Sequence, residues 1–434
     1  MFKFSKKKET LRRKTDRAGM TPEEKGKAIL RDLKKKRGSD AEGVTGRGEE
    51  ERSRKKSRDI SGRRGCGHFY SGRKEQFINL LKLLNMNDHL KRRKFLKTTA
   101  SVAAGLTVLP QGFAAEAARA EEGKRIGIIG LDTSHSIAFT REFNADDPDP
   151  ALRGYRVVAA YPHGSADIES SVSRIPKYTK QIRELGVKVV GSIGKLLKMV
   201  DVVLLETNDG RPHLEQSVEV MRAGKTMFID KPLTASLADA VAIYSLARKY
   251  RVPVFSSSSL RYTGSVQQAA RGEAGKIVGA STYGPSSIEK THPDLYWYGI
   301  HAVEMLYTIM GTGCESVTRV HTDSTDVAAG VWADGRVGTF RGMRAGIYEF
   351  GGTAFGEKSN ITLGGYSGYK PLLLEIAKFF DTKVPPVRDE ETLELYAFMS
   401  TADESRRKGG VPVSLQEVMG KAREAAAPLI RKYE

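Results

Sequence analysis

Arg125-Ile126-Gly127-Ile128-Ile129-Gly130-Leu131-Asp132-Thr133-Ser134-His135 reads as a short apolar strand, a glycine turn and the first turn of a helix. A strand that is apolar on both faces belongs to a buried parallel sheet with helices covering each side. The pattern repeats downstream. Short apolar runs at 155–160, 187–190, 201–206, 226–229 and 252–255 alternate with helical stretches that include 134–144, 213–223 and 236–250. Residues 124–258 are therefore expected to form an α/β domain with a doubly wound parallel sheet. From about Arg261 the texture changes, with strand-like runs at 316–322, 327–332 and 336–343 and little helix between them. Residues 259–434 are expected to form a second, α+β domain with an open, mainly antiparallel sheet, closed by two or three helices after Tyr369.

The chain of 434 residues is long enough for two domains and additional segments. Its net charge of +19 looks like a nucleic-acid signal until it is located. Residues 1–100 hold 31 Lys and Arg against 13 Asp and Glu, whereas the other 334 residues hold 40 against 39. The folded part is thus close to neutral, and nucleic-acid binding is not expected of it. Residues 1–85 are basic and lack apolar periodicity, so they are expected to stay disordered or to precede the true start at Met86. Residues 86–120 resemble a twin-arginine signal peptide, with Arg92-Arg93, Phe95-Leu96-Lys97, a mild apolar run and two A-x-A sites. The expected location is the periplasm. No stretch reaches the roughly 18 apolar residues of a membrane span, so no stable anchor is expected. The two cysteines, Cys66 and Cys314, lie far apart, and neither a disulfide nor a metal site is expected.

The turn after the first strand stands where a dinucleotide fingerprint would read G-x-G-x-x-G. Gly130 remains, but Asp132 and His135 replace the other two glycines. A carboxylate about 5 Å from a phosphate repels it by about 3 kcal/mol at an effective dielectric near 20. Thr133, Ser134 and the free amides of the helix can still hold an anion. Asp132 and Thr133 also suit a helix cap, with His135 open to a ligand role. The second strand ends Tyr161-Pro162-His163-Gly164, without the carboxylate that takes ribose hydroxyls and without an adjacent arginine for a 2′-phosphate. The fifth strand delivers Asp230-Lys231-Pro232 to the carboxyl edge of the sheet, where open α/β sheets bind ligands.

Taken together these segments resemble the Gfo/Idh/MocA oxidoreductases, the glucose–fructose oxidoreductase and inositol dehydrogenase type, over residues 124–431. The resemblance lies in 201–208 with His213, in Ala223-Gly224-Lys225 through Asp230-Lys231-Pro232, in Gly299-Ile300-His301-Ala302-Val303-Glu304, and in 391–405 with 409–413. It implies a Rossmann domain holding NAD or NADP tightly, with Gly130, Thr133, Ser134, His135, Thr207, Asn208, Asp230 and Lys231 at the cofactor. Lys231 and His301 would be the catalytic pair, and Arg261, Tyr298 and His301 would meet the substrate. The implied activity is oxidation of a sugar, glycoside or polyol hydroxyl, with a homo-oligomer expected. An NAD-dependent glycosidase and a carbohydrate-binding scaffold without hydride transfer are the alternatives. Trp297 stands where the family places an aspartate beside its histidine, leaving Tyr296, Tyr298, Asp294 or Glu304 as substitute partners for His301.

Overall fold

The computed structural model describes residues 123–434; the expectations for the basic segment and the signal peptide lie outside the described residues. Six strands form the first sheet: β1 Arg125–Ile129, β2 Arg156–Tyr161, β3 Lys188–Val189, β4 Val202–Leu205, β5 Thr226–Ile229 and β6 Val254–Phe255. Their order is β3-β2-β1-β4-β5-β6 and every pair is parallel, the doubly wound arrangement expected from the sequence. The helices between them are α1 Ser134–Phe143, α2 Glu169–Glu184, α3 Ile193–Leu197, α4 His213–Arg222 and α5 Leu237–Tyr250. Gly130 turns the chain out of β1 with φ +100°, and a Cβ there would stand 2.3 Å from the Thr207 amide nitrogen. Only glycine lets the turn lie this close to the end of β4.

After the short helix α6 Gly264–Ala270 comes β7 Ile277–Pro285, then α7 Ile300–Met310. The strands β8 Cys314–Thr322, β9 Thr325–Trp332, β10 Val337–Met343, β11 Gly351–Gly356, β12 Asn360–Leu363 and β13 Val413–Ser414 complete a second sheet. Its order is β12-β11-β7-β10-β9-β8-β13. All neighbours are antiparallel except β7 and β10. One face packs on α7 and on α9 Asp389–Arg407, where Trp332, Phe340, Tyr307 and Phe398 are buried. The other face is open. It exposes Val320, Val331, Val337, Tyr283 and Phe355, with Val331 and Val337 directly paired across β9 and β10.

The helix α8 Lys370–Thr382 departs from the expected division of the chain. It leaves the second sheet and buries Leu372, Leu373, Ile376, Phe379 and Phe380 against Ile126, Ile128, Phe228 and Phe255 of the first. Phe379 meets Phe255 edge-on with ring centres 4.7 Å apart, and Phe380 lies 5.4 Å from Tyr155. α10 Leu415–Tyr433 closes the chain against α5.

Candidate active site

A cavity of about 740 Å³ opens at the carboxyl edge of the first sheet. Its floor comes from the β1 turn (Thr133, Ser134, His135), from Asn208 after β4 and from Lys231 after β5. Trp297, Tyr298 and His301 at the start of α7, with Phe350 and Tyr366, form the opposite wall. The carboxyl edge of a doubly wound sheet is where such folds bind their ligands.

Lys231 is not the solvated loop residue its position suggests. It is only 9% exposed, and its ammonium makes no hydrogen bond or salt bridge among the described residues. Its nearest aromatic neighbour is the Tyr298 ring, 5.8 Å away. Burial lowers its pKa, against the opposing pull of Asp230 and Glu206. A buried cation with no hydrogen bond or ion-pair contact is costly, and a ligand in the cavity can supply that contact.

His301 sits in the first turn of α7 and faces the same cavity. Burial, and then the charge of Lys231, holds its pKa well below the ordinary histidine value, so the imidazole is neutral at pH 7. Its partner is none of the four expected. Nδ1 lies 2.7 Å from the hydroxyl of Ser258, a residue that no motif marked. Asp294 instead pairs with Arg319 at 2.8 Å, and Tyr296 bonds Ser400 at 2.7 Å. Glu304 acts one step removed: it accepts the Ser258 amide at 2.7 Å and the hydroxyl of Ser257. Glu304 also receives Arg261 Nε at 2.8 Å, while Arg261 reaches Glu391 at 2.6 Å. Arg261 therefore braces the wall from behind and does not meet the cavity, contrary to the expected substrate role.

Asp230 and Glu206 lie behind the floor and form a buried group with His135, which also lines the cavity. His135 Nδ1 is 2.5 Å from Asp230 Oδ2, and its ring packs against Phe139 and edge-on to Tyr369 at 4.7 Å. Both Glu206 oxygens are buried with no hydrogen-bond donor among the described residues. Burial, then the neighbouring Asp230 carboxylate, raises the Glu206 pKa well above its ordinary value. Burial also works against ionisation of Asp230, but His135 and Lys231 outweigh it and keep Asp230 charged. Of the two carboxyls, Glu206 is thus the one held toward its neutral form. The three candidate ligand atoms lie within 4.8 Å of one another. A metal would have to part His135 from Asp230, since two ligands on one zinc stand roughly 3.3 Å apart.

Asp132 corrects the expectation of phosphate repulsion. Its side chain points inward, fully buried, and does not line the cavity. Oδ1 accepts the Asn208 amide at 2.9 Å and Oδ2 accepts the Ser171 hydroxyl at 2.8 Å. Burial raises its pKa to about 6, with both hydrogen bonds opposing. The helix cap is Thr133 alone, whose hydroxyl accepts the His135 amide at 3.4 Å. Gly130 and Thr207 also lie beneath the surface. Thr207 bonds Gln216 at 3.0 Å and does not reach the cavity. Arg174, which no motif marked, lines the cavity from α2, thirteen residues beyond Tyr161. It supplies the guanidinium that the sequence around Tyr161 lacks.

Residues 124–258 match the profile of an oxidoreductase family with an NAD-binding Rossmann fold, the Gfo/Idh/MocA family. No curated protein sequence matches the chain significantly. Among solved structures, a probable dehydrogenase from Thermotoga maritima is 20% identical, with TM-score 0.56 over 68% of this chain and 99% of that one. Scyllo-inositol dehydrogenase from Lactobacillus casei, solved with NAD(H) and scyllo-inositol, is 15% identical, with TM-score 0.55 over 67% and 99%. Myo-inositol 2-dehydrogenase from Lactobacillus plantarum is 16% identical, with TM-score 0.55 over 67% and 98%. At these identities the likeness is one of fold. The first sheet and its helices thus match the Rossmann domain of the Gfo/Idh/MocA family, and together with the second sheet they share the fold of these dehydrogenases.

Proposed function

We propose that the protein oxidises a hydroxyl of a sugar, glycoside or polyol with a nicotinamide cofactor. The observation that carries this reading is the convergence of a buried, unpaired Lys231 and a neutral His301 on one cavity. The residues present fit the phosphate and nicotinamide end of such a cofactor. The hydroxyls of Thr133 and Ser134 and the start of α1 stand beside Arg174 for a phosphate, and Lys231 lies deeper in the cavity. A bound nicotinamide would accept the hydride from the carbinol carbon. When His301 donates its Nδ1 hydrogen to Ser258, Nε2 is free to take the hydroxyl proton. The Lys231 ammonium orients that hydroxyl and stabilises the alkoxide as it forms. Trp297, Tyr298 and Phe350 give the apolar wall against which a sugar ring packs.

The test is product mass. Purified protein is incubated with a panel of inositols, hexoses and glycosides and with NAD, NADP or nicotinamide mononucleotide. At least one substrate should lose two mass units, and His301→Ala should abolish that loss. No such product with any acceptor would sink the reading.

Residues 86–120 carry the proposal of twin-arginine export to the periplasm, motivated by Arg92-Arg93 and the A-x-A sites. Replacing both arginines with lysine should leave the protein in the cytoplasm; normal export of that variant refutes it. Among the described residues no helix is long and apolar enough to cross a membrane. The open face of the second sheet, with Val320, Val331 and Val337 exposed, supports a homo-oligomer built across it. Light scattering should show an oligomer that Val331→Glu with Val337→Glu reduces to monomer.

A further inference from the structure

In a Rossmann domain the dinucleotide crosses the β1 turn with its pyrophosphate and sends its adenosine toward the end of the second strand. Here that path is filled by the chain itself. The residue at the second glycine position, Asp132, is buried beneath Asn208 and Ser171. The backbone after β2 lies directly on the turn: the His163 carbonyl accepts the Leu131 amide at 3.3 Å. A Cβ at Gly164 would stand 2.8 Å from Asp132 Oδ2 and 2.6 Å from the Ile175 side chain. No room is left between them.

Farther out, the segments after β2 and β4 are clasped together. The Ser165 hydroxyl donates to Asp209. Arg211 donates twice to Asp167, at 2.6 and 2.8 Å, and again to Asp209 at 2.7 Å. Tyr161 and His163 stack on each other and neither lines the cavity. The open volume begins only at α2, with Ser170 and Arg174, and runs inward past Thr133 and Ser134 to the unpaired, nine-tenths buried Lys231.

We infer that the cavity takes a nicotinamide ligand no longer than a mononucleotide and excludes the adenosine half of a dinucleotide. The single phosphate sits between Ser134 and Arg174, and the ring lies toward Lys231 and His301. This rests on the redox reading above for the nicotinamide itself; the size limit rests on residues 163–171 and the Arg211 clasp.

The experiment is a fluorescence titration of the purified protein with reduced nicotinamide mononucleotide and with NADH, reading the quenching of Trp297 in the cavity wall. The mononucleotide should bind at least 100-fold more tightly than NADH. Arg211→Ala, which opens the clasp outside the cavity, should narrow that gap at least tenfold and leave mononucleotide affinity unchanged. NADH binding as tight as the mononucleotide in the unaltered protein overturns the size limit while the redox reading stands. Binding of neither ligand overturns both.

Discussion

His301 Nδ1 and the Ser258 hydroxyl are 2.7 Å apart, joining the first turn of α7 to the segment that follows β6. The serine is fixed by its own amide on Glu304 and by the Leu260 amide on its hydroxyl at 3.2 Å. The contact sets which imidazole nitrogen faces a ligand. In this protein a hydroxyl does the positioning that the family resemblance assigned to a carboxylate, so the histidine is oriented without an added negative charge.

Ser258→Ala should therefore lower kcat about 10- to 100-fold with little change in KM, because it loosens the base without removing it. Stability should fall by only about 1 kcal/mol, the usual net value of one hydrogen bond. Steady-state kinetics beside thermal melting separate the two effects. A loss of folding without a fall in kcat per folded molecule would make Ser258 structural.

The pH profile follows from the lowered pKa of His301. The imidazole must be unprotonated to accept a proton, and burial keeps it so well below its ordinary value of 6.5. kcat/KM should stay level as pH falls from 8 to 6.5 and decline only below that. A half-maximal rate near pH 7 would show that another group sets the base.

Lys231→Met should cost at least two orders of magnitude in turnover, since the alkoxide loses its cation. The same change removes a buried charge that has no salt-bridge partner, so stability should stay within about 1 kcal/mol of the parent. A drop of several kcal/mol would mean that Asp230 and Glu206 depend on this ammonium for their burial.

Asp132 gives a stability signature with a definite sign. Its folded pKa of about 6 exceeds its ordinary 3.8, so between these values the native state binds more protons than the unfolded chain. This group's contribution is best below about pH 4 and is lost as pH rises through 6, by roughly 3 kcal/mol in all. Asp132→Asn keeps an acceptor for Asn208 and should flatten that slope in denaturant titrations from pH 4 to 7. An unchanged slope would place the carboxyl's pKa near its ordinary value.

Arg261→Ala should unfold the wall instead of weakening ligand affinity. Glu304 and Glu391 would be left without their cation, and removing one member of a buried pair costs roughly 3–5 kcal/mol. Calorimetry checks this directly. A stable variant with raised KM would restore the substrate role read from the sequence.

The first sheet was legible because its strands are short, apolar on both faces and separated by turn residues; β5 falls on 226–229 as read. α2 was not read. It carries Pro176, and its apolar face of Ile175, Tyr178 and Ile182 is thin and interrupted by charged residues, with only Ser171 and Ile182 buried. That omission also hid Arg174. The Lys231 and His301 pair could be named from motifs, but their surroundings could not. Ser258 stands 43 residues from His301, and nothing in a serine's neighbours forecasts a contact across that distance. The inward turn of Asp132 was equally hidden, because it depends on Gly164 and Ser171 folding back over it.

The return of α8 to the first sheet bears on how the protein comes apart. Phe379 and Phe380 seal a face of the sheet whose strands end more than a hundred residues earlier in the chain. A fragment stopping at 258 would leave Ile128, Phe228 and Phe255 open to water and would be prone to self-association. The two sheets should accordingly melt in one cooperative transition, and the core of the first domain is complete only once residues 370–382 are available to it.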